Sequence, residues 1–307
     1  MWPADSLYET LDFIKTHPNP DGGWGYRPGG ASYVEPTSFC VLALRSAGDT
    51  AAAANGLAFL KACQNVSGAV GASPKGSPES WMAYAGLLAY HAFGAAAEEK
   101  RLIPWILSVE DGSRRFRPND VKAIRETYRF DASIPGWPWT AGTTAWVEPT
   151  ALFIIALARA GVPLTNERIL AGVRLILDRK VMSGGWNFGN PYSKSYELEA
   201  APLSTSLALI ALAAVGHSAA DPAVASGIRF LQKSLAGDVS TVSLAWTLIA
   251  LNAYGPHDEL LPRVAKRLAG LRKTDGSFRG NLFESGLAYL ALRDISPIIR
   301  PAGRIEK

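Results

Sequence analysis

An all-α (α/α)6 toroid, a barrel of about six helical hairpins around a central cavity, is the fold the sequence predicts. Three observations predict it: amphipathic and nearly all-apolar helical segments alternate, a glycine–aromatic element recurs between them, and the units are too uneven in length for an open stack of repeats. The first unit opens near Leu7, where Leu7, Leu11, Phe13 and Ile14 recur at helical spacing, and runs into the apolar stretch 39–44. A second unit begins near Ala52, and a third near Ala96, whose apolar partner is 151–158. The fourth starts near Asn166, with Ile169, Val173, Leu175, Ile176 and Leu177 marking its amphipathic helix and 203–215 its apolar one. The fifth pairs a helix from about Asp221 with 242–254, and the sixth pairs one from about Asp258 with 287–292. Gly48, Gly161, Gly216 and Gly255 stand where apolar runs end, as C-terminal stops. Two concentric rings bury the apolar member of each pair and leave the amphipathic one outside. The whole chain, 1–307, reads as one such domain, with 111–135 a long basic loop insertion that has room for one short helix.

Composition narrows the function. With 48% hydrophobic and 19% charged residues the chain has material for a large packed core. A net charge of +4, from 31 basic against 27 acidic residues and without a long basic run, excludes a nucleic-acid partner. Cys40 and Cys63 lie in apolar periodic stretches without ligand-like spacing and read as buried free thiols in a reducing compartment. Met1 to Asp5 lack a basic leader, and no apolar run reaches the roughly 18 residues of a membrane span, so a soluble, cytoplasmic protein is expected.

The glycine–aromatic element is clearest at Gly22-Gly23-Trp24, Gly136-Trp137, Gly184-Gly185-Trp186 and Asp275-Gly276-Ser277-Phe278. Laying 23–37 over 136–150 without a gap superposes Gly-Trp, a later glycine, and Val34-Glu35-Pro36-Thr37 on Val147-Glu148-Pro149-Thr150. Proline suits a first helical position, so Glu35 and Glu148 fall at the start of two apolar helices and near one rim of the cavity, beside Tyr33 and Trp146. A looser third copy leads from Gly185-Trp186 through Tyr196-Glu197 to Pro202.

These elements resemble the repeats of squalene cyclases and prenyltransferase β-subunits, the terpenoid-cyclase toroids, from about Leu7 to Leu292. In the class II cyclases of that family an Asp-Val-Asp-Asp-Thr motif opens an inner helix after a Gly-Trp element, and its middle aspartate is the acid that protonates an alkene or epoxide. The resemblance puts Glu35 or Glu148 at that middle position, with Tyr33 or Trp146 in place of the first aspartate and Pro36 or Pro149 in place of the last. It implies a single-domain, metal-independent, acid-initiated cyclase or isomerase acting on an isoprenoid. The zinc set of the prenyltransferases is not matched: Cys40 and Cys63 lack an Asp-x-Cys context, and His17, His91, His217 and His257 fall in loops or near helix ends. No cofactor and no metal are expected.

Protonating a carbon–carbon double bond requires an acid kept protonated away from water, with aromatic faces to stabilise the cation. Glu35 and Glu148 are the candidate catalytic residues, and Tyr33, Trp81, Trp139, Trp146, Phe188, Tyr196 and Trp246 the candidate substrate-binding ones. The tryptophans directly after glycine read instead as packing between repeats. Arg114, Arg115 and Arg117 are candidate phosphate-binding residues, which would suit a prenyl diphosphate. The expected partner is thus a small isoprenoid, with peripheral membrane contact only for its uptake. Two other classes stay open. A non-catalytic toroid binding an isoprenoid, lipid or protein would be marked by a carboxylate paired with an arginine such as Arg27 or Arg159. A glycan-active toroid would hold two carboxylates about 5 to 10 Å apart across a polar groove. A glutamate at a helix N-terminus is also favourable by about 0.3 to 1 kcal/mol with no function at all.

Overall fold

A helix that is apolar on every side is stable only where every side is covered, and the chain builds a ring that covers six of them. The computed structural model describes residues 7–74, 78–194, 196–255 and 259–299. In chain order the helices are α1 (Tyr8–Lys15), α2 (Val34–Ser46), α3 (Thr50–Ala62), α4 (Ala83–Phe93), α5 (Ala96–Ser108), α6 (Pro118–Tyr128), α7 (Val147–Arg159), α8 (Glu167–Asp178), α9 (Pro202–Ala214), α10 (Pro222–Ser234), α11 (Thr241–Ala253), α12 (Leu260–Ala269) and α13 (Leu282–Arg293). The inner wall runs α2, α4, α7, α9, α11, α13, each packed on the next, and α13 closes on α2. Outside it, α1, α3, α5, α8, α10 and α12 cover the wall with one apolar face each. The chain is therefore a closed all-α toroid. The expected starts of the units near Leu7, Ala52, Ala96, Asn166 and Asp221 fall at or beside outer helices, while Asp258 and His257 lie outside the described residues.

Closure is made by the first and last repeats. The outer helix α1 packs on α13 as well as on α2. The hydroxyl of Thr10 donates to the Gly276 carbonyl at 2.8 Å, and a Cβ at Gly276 would stand 2.2 Å from the Glu9 carbonyl oxygen. Gly276 also takes φ +82, so only glycine combines that turn with that approach. The stops Gly48, Gly161, Gly216 and Gly255 all adopt left-handed backbone, at φ 85, 79, 92 and 96.

The Gly-Trp element is a staple. Trp24, Trp137 and Trp186 are fully buried, and their indole N–H groups donate to the carbonyls of Ile14, Ile106 and Ile176 at 2.9, 2.9 and 2.6 Å, in the last turn of the preceding outer helix. Their backbone N–H groups donate to the hydroxyls of Thr37, Thr150 and Thr205 in the first turns of α2, α7 and α9, at 2.8, 2.9 and 2.9 Å. On the other side each indole lies against a glycine of the following outer helix: a Cβ at Gly56, Gly172 or Gly227 would come within 2.5, 2.9 or 2.8 Å of the ring. One residue thus ties two outer helices through its indole and one inner helix through its backbone. Val70 fills the corresponding place in the second repeat, where Asn65 N–H donates to the Ala69 carbonyl at 2.9 Å as Asn19 does to Gly23 at 2.8 Å.

The segment 111–135 contains a 3-10 turn (Ser113–Arg115) and then α6, an eleven-residue helix none of whose residues is buried. Its neighbour is a short antiparallel hairpin of β1 (Tyr192–Ser193) and β2 (Tyr196–Glu197). Cys40 and Cys63 are buried free thiols, and burial pushes the Cys63 thiol up to about 12. Among the described residues no helix is long and apolar enough to cross a membrane.

Candidate functional site

Glu35 enters the second position of α2, where an ionised carboxylate would be favoured by the free N–H groups of the first turn. The surroundings oppose that. The residue is 6% exposed, and each carboxyl oxygen meets one phenol: Tyr26 Oη to Oε2 at 2.7 Å and Tyr84 Oη to Oε1 at 2.7 Å. Burial raises its pKa, and the two hydroxyls, which would lower it, do not cancel the effect, so the group lies above the usual carboxylate range. Burial and the neighbouring carboxyl push the Tyr26 and Tyr84 hydroxyls upward too. The result is a triad of three groups that all resist ionisation.

Aromatic rings surround this triad. Tyr84 stacks on Trp81 with centroids 6.0 Å apart and planes at 10°, and Trp81 meets the edge of Trp139 at 4.7 Å. On the other side Tyr26 touches Tyr33 at 5.9 Å and Phe283 at 6.1 Å. Phe39, one turn on from Glu35 in α2, meets the rings of Phe283 at 5.1 Å, Trp246 at 6.0 Å and Tyr84 at 6.5 Å. Four inner helices, α2, α4, α11 and α13, thus send aromatic side chains to one point. Of the predicted residues, Glu35, Tyr33, Trp81, Trp139 and Trp246 are brought into one continuous aromatic array.

The others stand apart from it. Glu148 begins α7, on the far side of α4, and accepts from Ser204 Oγ at 2.7 Å. Trp146 packs on Phe188 at 5.7 Å; Phe188 is 47% exposed, and Tyr196, on β2, is 62% exposed. Arg114 pairs with Glu110 at 2.7 Å on the surface, and the exposed Arg115 and Arg117 lead into α6. Arg27 is exposed, whereas Arg159, at the last residue of α7, donates to the Ser296 carbonyl at 2.7 Å and meets His91 at 2.9 Å. The Glu35 partners are therefore tyrosines, not arginines.

Tyr26 and Tyr84 were not singled out by sequence, though a signal for one existed. The gapless superposition lays Tyr26 on Trp139, so the second copy has no hydroxyl where the first has one. This is what makes the two glutamates different. Tyr84 comes from the second repeat, which carries no Glu-Pro-Thr to draw attention to it. Among the described residues no group of three or more His, Cys, Asp or Glu stands close enough to hold a metal ion.

By sequence no protein family and no curated protein matches the chain. By structure it is similar to type II terpene cyclase MstE from Scytonema, with a TM-score of 0.64 at 15% identity over 96% of this chain and 98% of that one. It is likewise similar to a protein from Actinoplanes, with a TM-score of 0.66 at 18% identity over 95% and 98%. A third neighbour is an alpha-amylase from Clostridium perfringens, with a TM-score of 0.64 at 12% identity over 95% and 99%. Closed ring, stapled repeats and these neighbours together establish that the chain has a terpenoid-cyclase-like α/α toroid fold.

Proposed function

We propose that the chain is an acid-initiated isoprenoid cyclase or isomerase in which Glu35 is the proton donor. The observation that carries this reading is the buried carboxyl of Glu35, its pKa raised and one phenol on each oxygen. In the step it implies, an alkene π pair takes the Glu35 proton, a C–H bond forms, and the adjacent carbon becomes a cation. The carboxylate left behind accepts from the Tyr26 and Tyr84 hydroxyls, already 2.7 Å away, which stabilises the developing anion without rearrangement. The faces of Trp81, Trp139 and Phe283 stabilise the cation; a neighbouring C–H bond then breaks, its electron pair forming the new double bond and its proton passing to solvent, from which the Glu35 carboxylate is reprotonated. No atoms are gained or lost overall. Similarity to MstE, solved with geranylgeranyl dihydroxybenzoate as substrate and with merosterolic acid A as product, supports an isoprenoid as the ligand class.

The glycan-active reading has less to rest on, since α4 separates the helices that carry Glu35 and Glu148. The test is mass spectrometry of products from squalene and a series of prenyl substrates with wild type, Glu35→Gln and Glu148→Gln. Turnover lost in Glu35→Gln and kept in Glu148→Gln is the expected result. Lipid retained in native mass spectra without turnover would replace catalysis by binding, and loss in Glu148→Gln alone would move the acid.

A further inference from the structure

A half-open cavity of about 280 Å³ lies under α6, on residues that play no part around Glu35. Ile124 and Tyr128 of α6, with Phe116 before it, form one side; Phe130, Ile134 and Trp146 form the other. Its polar side is unusual. Asp111 lines the cavity, but its oxygens are committed: Oδ1 accepts from the Ser113 N–H at 3.0 Å and hydroxyl at 2.5 Å, and Oδ2 from the Gly136 N–H at 2.8 Å. Arg179 is not committed in that way. It is 2% exposed and stacked 3.5 Å over the Phe130 ring, and Nη1 donates to the Gly189 carbonyl at 2.9 Å. Nε is ion-paired with Asp178 Oδ2 at 3.3 Å outside hydrogen-bond geometry, and Nη2 reaches the Asp131 carbonyl only at 3.5 Å. Nη2 is therefore the weakly held donor of a buried guanidinium, and a further acceptor in the cavity would satisfy it.

We propose that this cavity binds a small monocarboxylate with a ring-sized apolar body, its carboxylate on Arg179 and its body between α6 and Trp146. The volume suits this: at about 30 Å³ per water the space holds on the order of ten non-hydrogen atoms. Arg179 supplies a charged donor at Nη2, and Asn190, also in the lining, offers an amide. The roof is built to admit a ligand, since none of the α6 residues is buried and its main packing partner among the described elements is the two-residue strand β1. Burial lowers the Arg179 pKa to about 10, which still leaves it charged near neutrality.

The experiment is calorimetric titration of the full chain with 3-phenylpropionate and with its uncharged amide, up to about 10 mM. Saturable binding of the acid, at least tenfold tighter than that of the amide, is expected. Ile124→Trp, which fills the space from a half-buried roof position, should abolish binding of both. Arg179→Gln should remove the preference for the acid; if that variant does not fold, the acid-to-amide ratio and Ile124→Trp still decide. Equal binding of acid and amide, unaltered binding in Ile124→Trp, or no saturation with folded wild-type protein would each overturn the proposal.

Discussion

The carboxyl of Glu35 is pulled two ways, toward ionisation by the start of α2 and by two phenols, and toward neutrality by its burial, and burial wins. That ordering fixes the sign of a pH effect. Because the folded pKa lies above the unfolded value of 4.5, the folded chain holds this proton more tightly than the unfolded chain. Its stabilising contribution is complete below about 4.5 and is lost as pH rises through the folded pKa. Denaturant unfolding of wild type and Glu35→Gln across that range should show the variant gaining relative stability with rising pH; a difference that does not change with pH would show an ordinary carboxylate. The sequence shows Glu35 and Glu148 as equals in a duplicated Val-Glu-Pro-Thr. Their inequality lies in a hydroxyl nine residues upstream and another forty-nine residues downstream, and only the first is visible in the repeat.

At the level of the helix, a glycine is normally a weakness, worth about 1 kcal/mol against alanine. Gly56 reverses this, because a Cβ there would lie 2.4 Å from Val41 Cγ1 and 2.5 Å from the Trp24 ring. Gly86 in α4 has its nearest atoms at 3.7 Å, ordinary contact. Gly56→Ala is therefore expected to destabilise by about 1 to 3 kcal/mol through overpacking, whereas Gly86→Ala stabilises by up to about 1 kcal/mol. Thermal unfolding of the pair checks the sign of each. The alternation of amphipathic and apolar segments was legible because burial on one side or on all sides leaves its mark on every turn. The glycines beneath the indoles were not, since one glycine in an outer helix has no period. The helix α6 was equally hard to place: without a buried residue, its sequence resembles a solvated loop.

For the whole molecule, closure distinguishes this ring from an open stack, whose terminal repeats fray. Hydrogen exchange should therefore protect amides of α1 and α13 about as well as those of α9. Gly276→Ala, which drives a Cβ into the Glu9 carbonyl, should lower protection in α1 and α13 while sparing α9; a uniform loss would show that closure is not the weak seam. Six unit starts and five of the six apolar partners were legible in sequence, the inner helix α4 being missed, and the seam between first and last was not legible, because Thr10 and Gly276 are 266 residues apart. A different consequence follows from the staples. The backbone N–H of Trp24 and Trp137 finds its threonine thirteen residues on, that of Trp186 nineteen on, and that of Phe278 its serine only seven on. Wall and staple are thus indifferent to what is spliced between them. New chain can be inserted at this one end of the barrel, where Glu35 and its tyrosines sit, while the masonry stays as it is, so chemistry and architecture are free to change at separate rates.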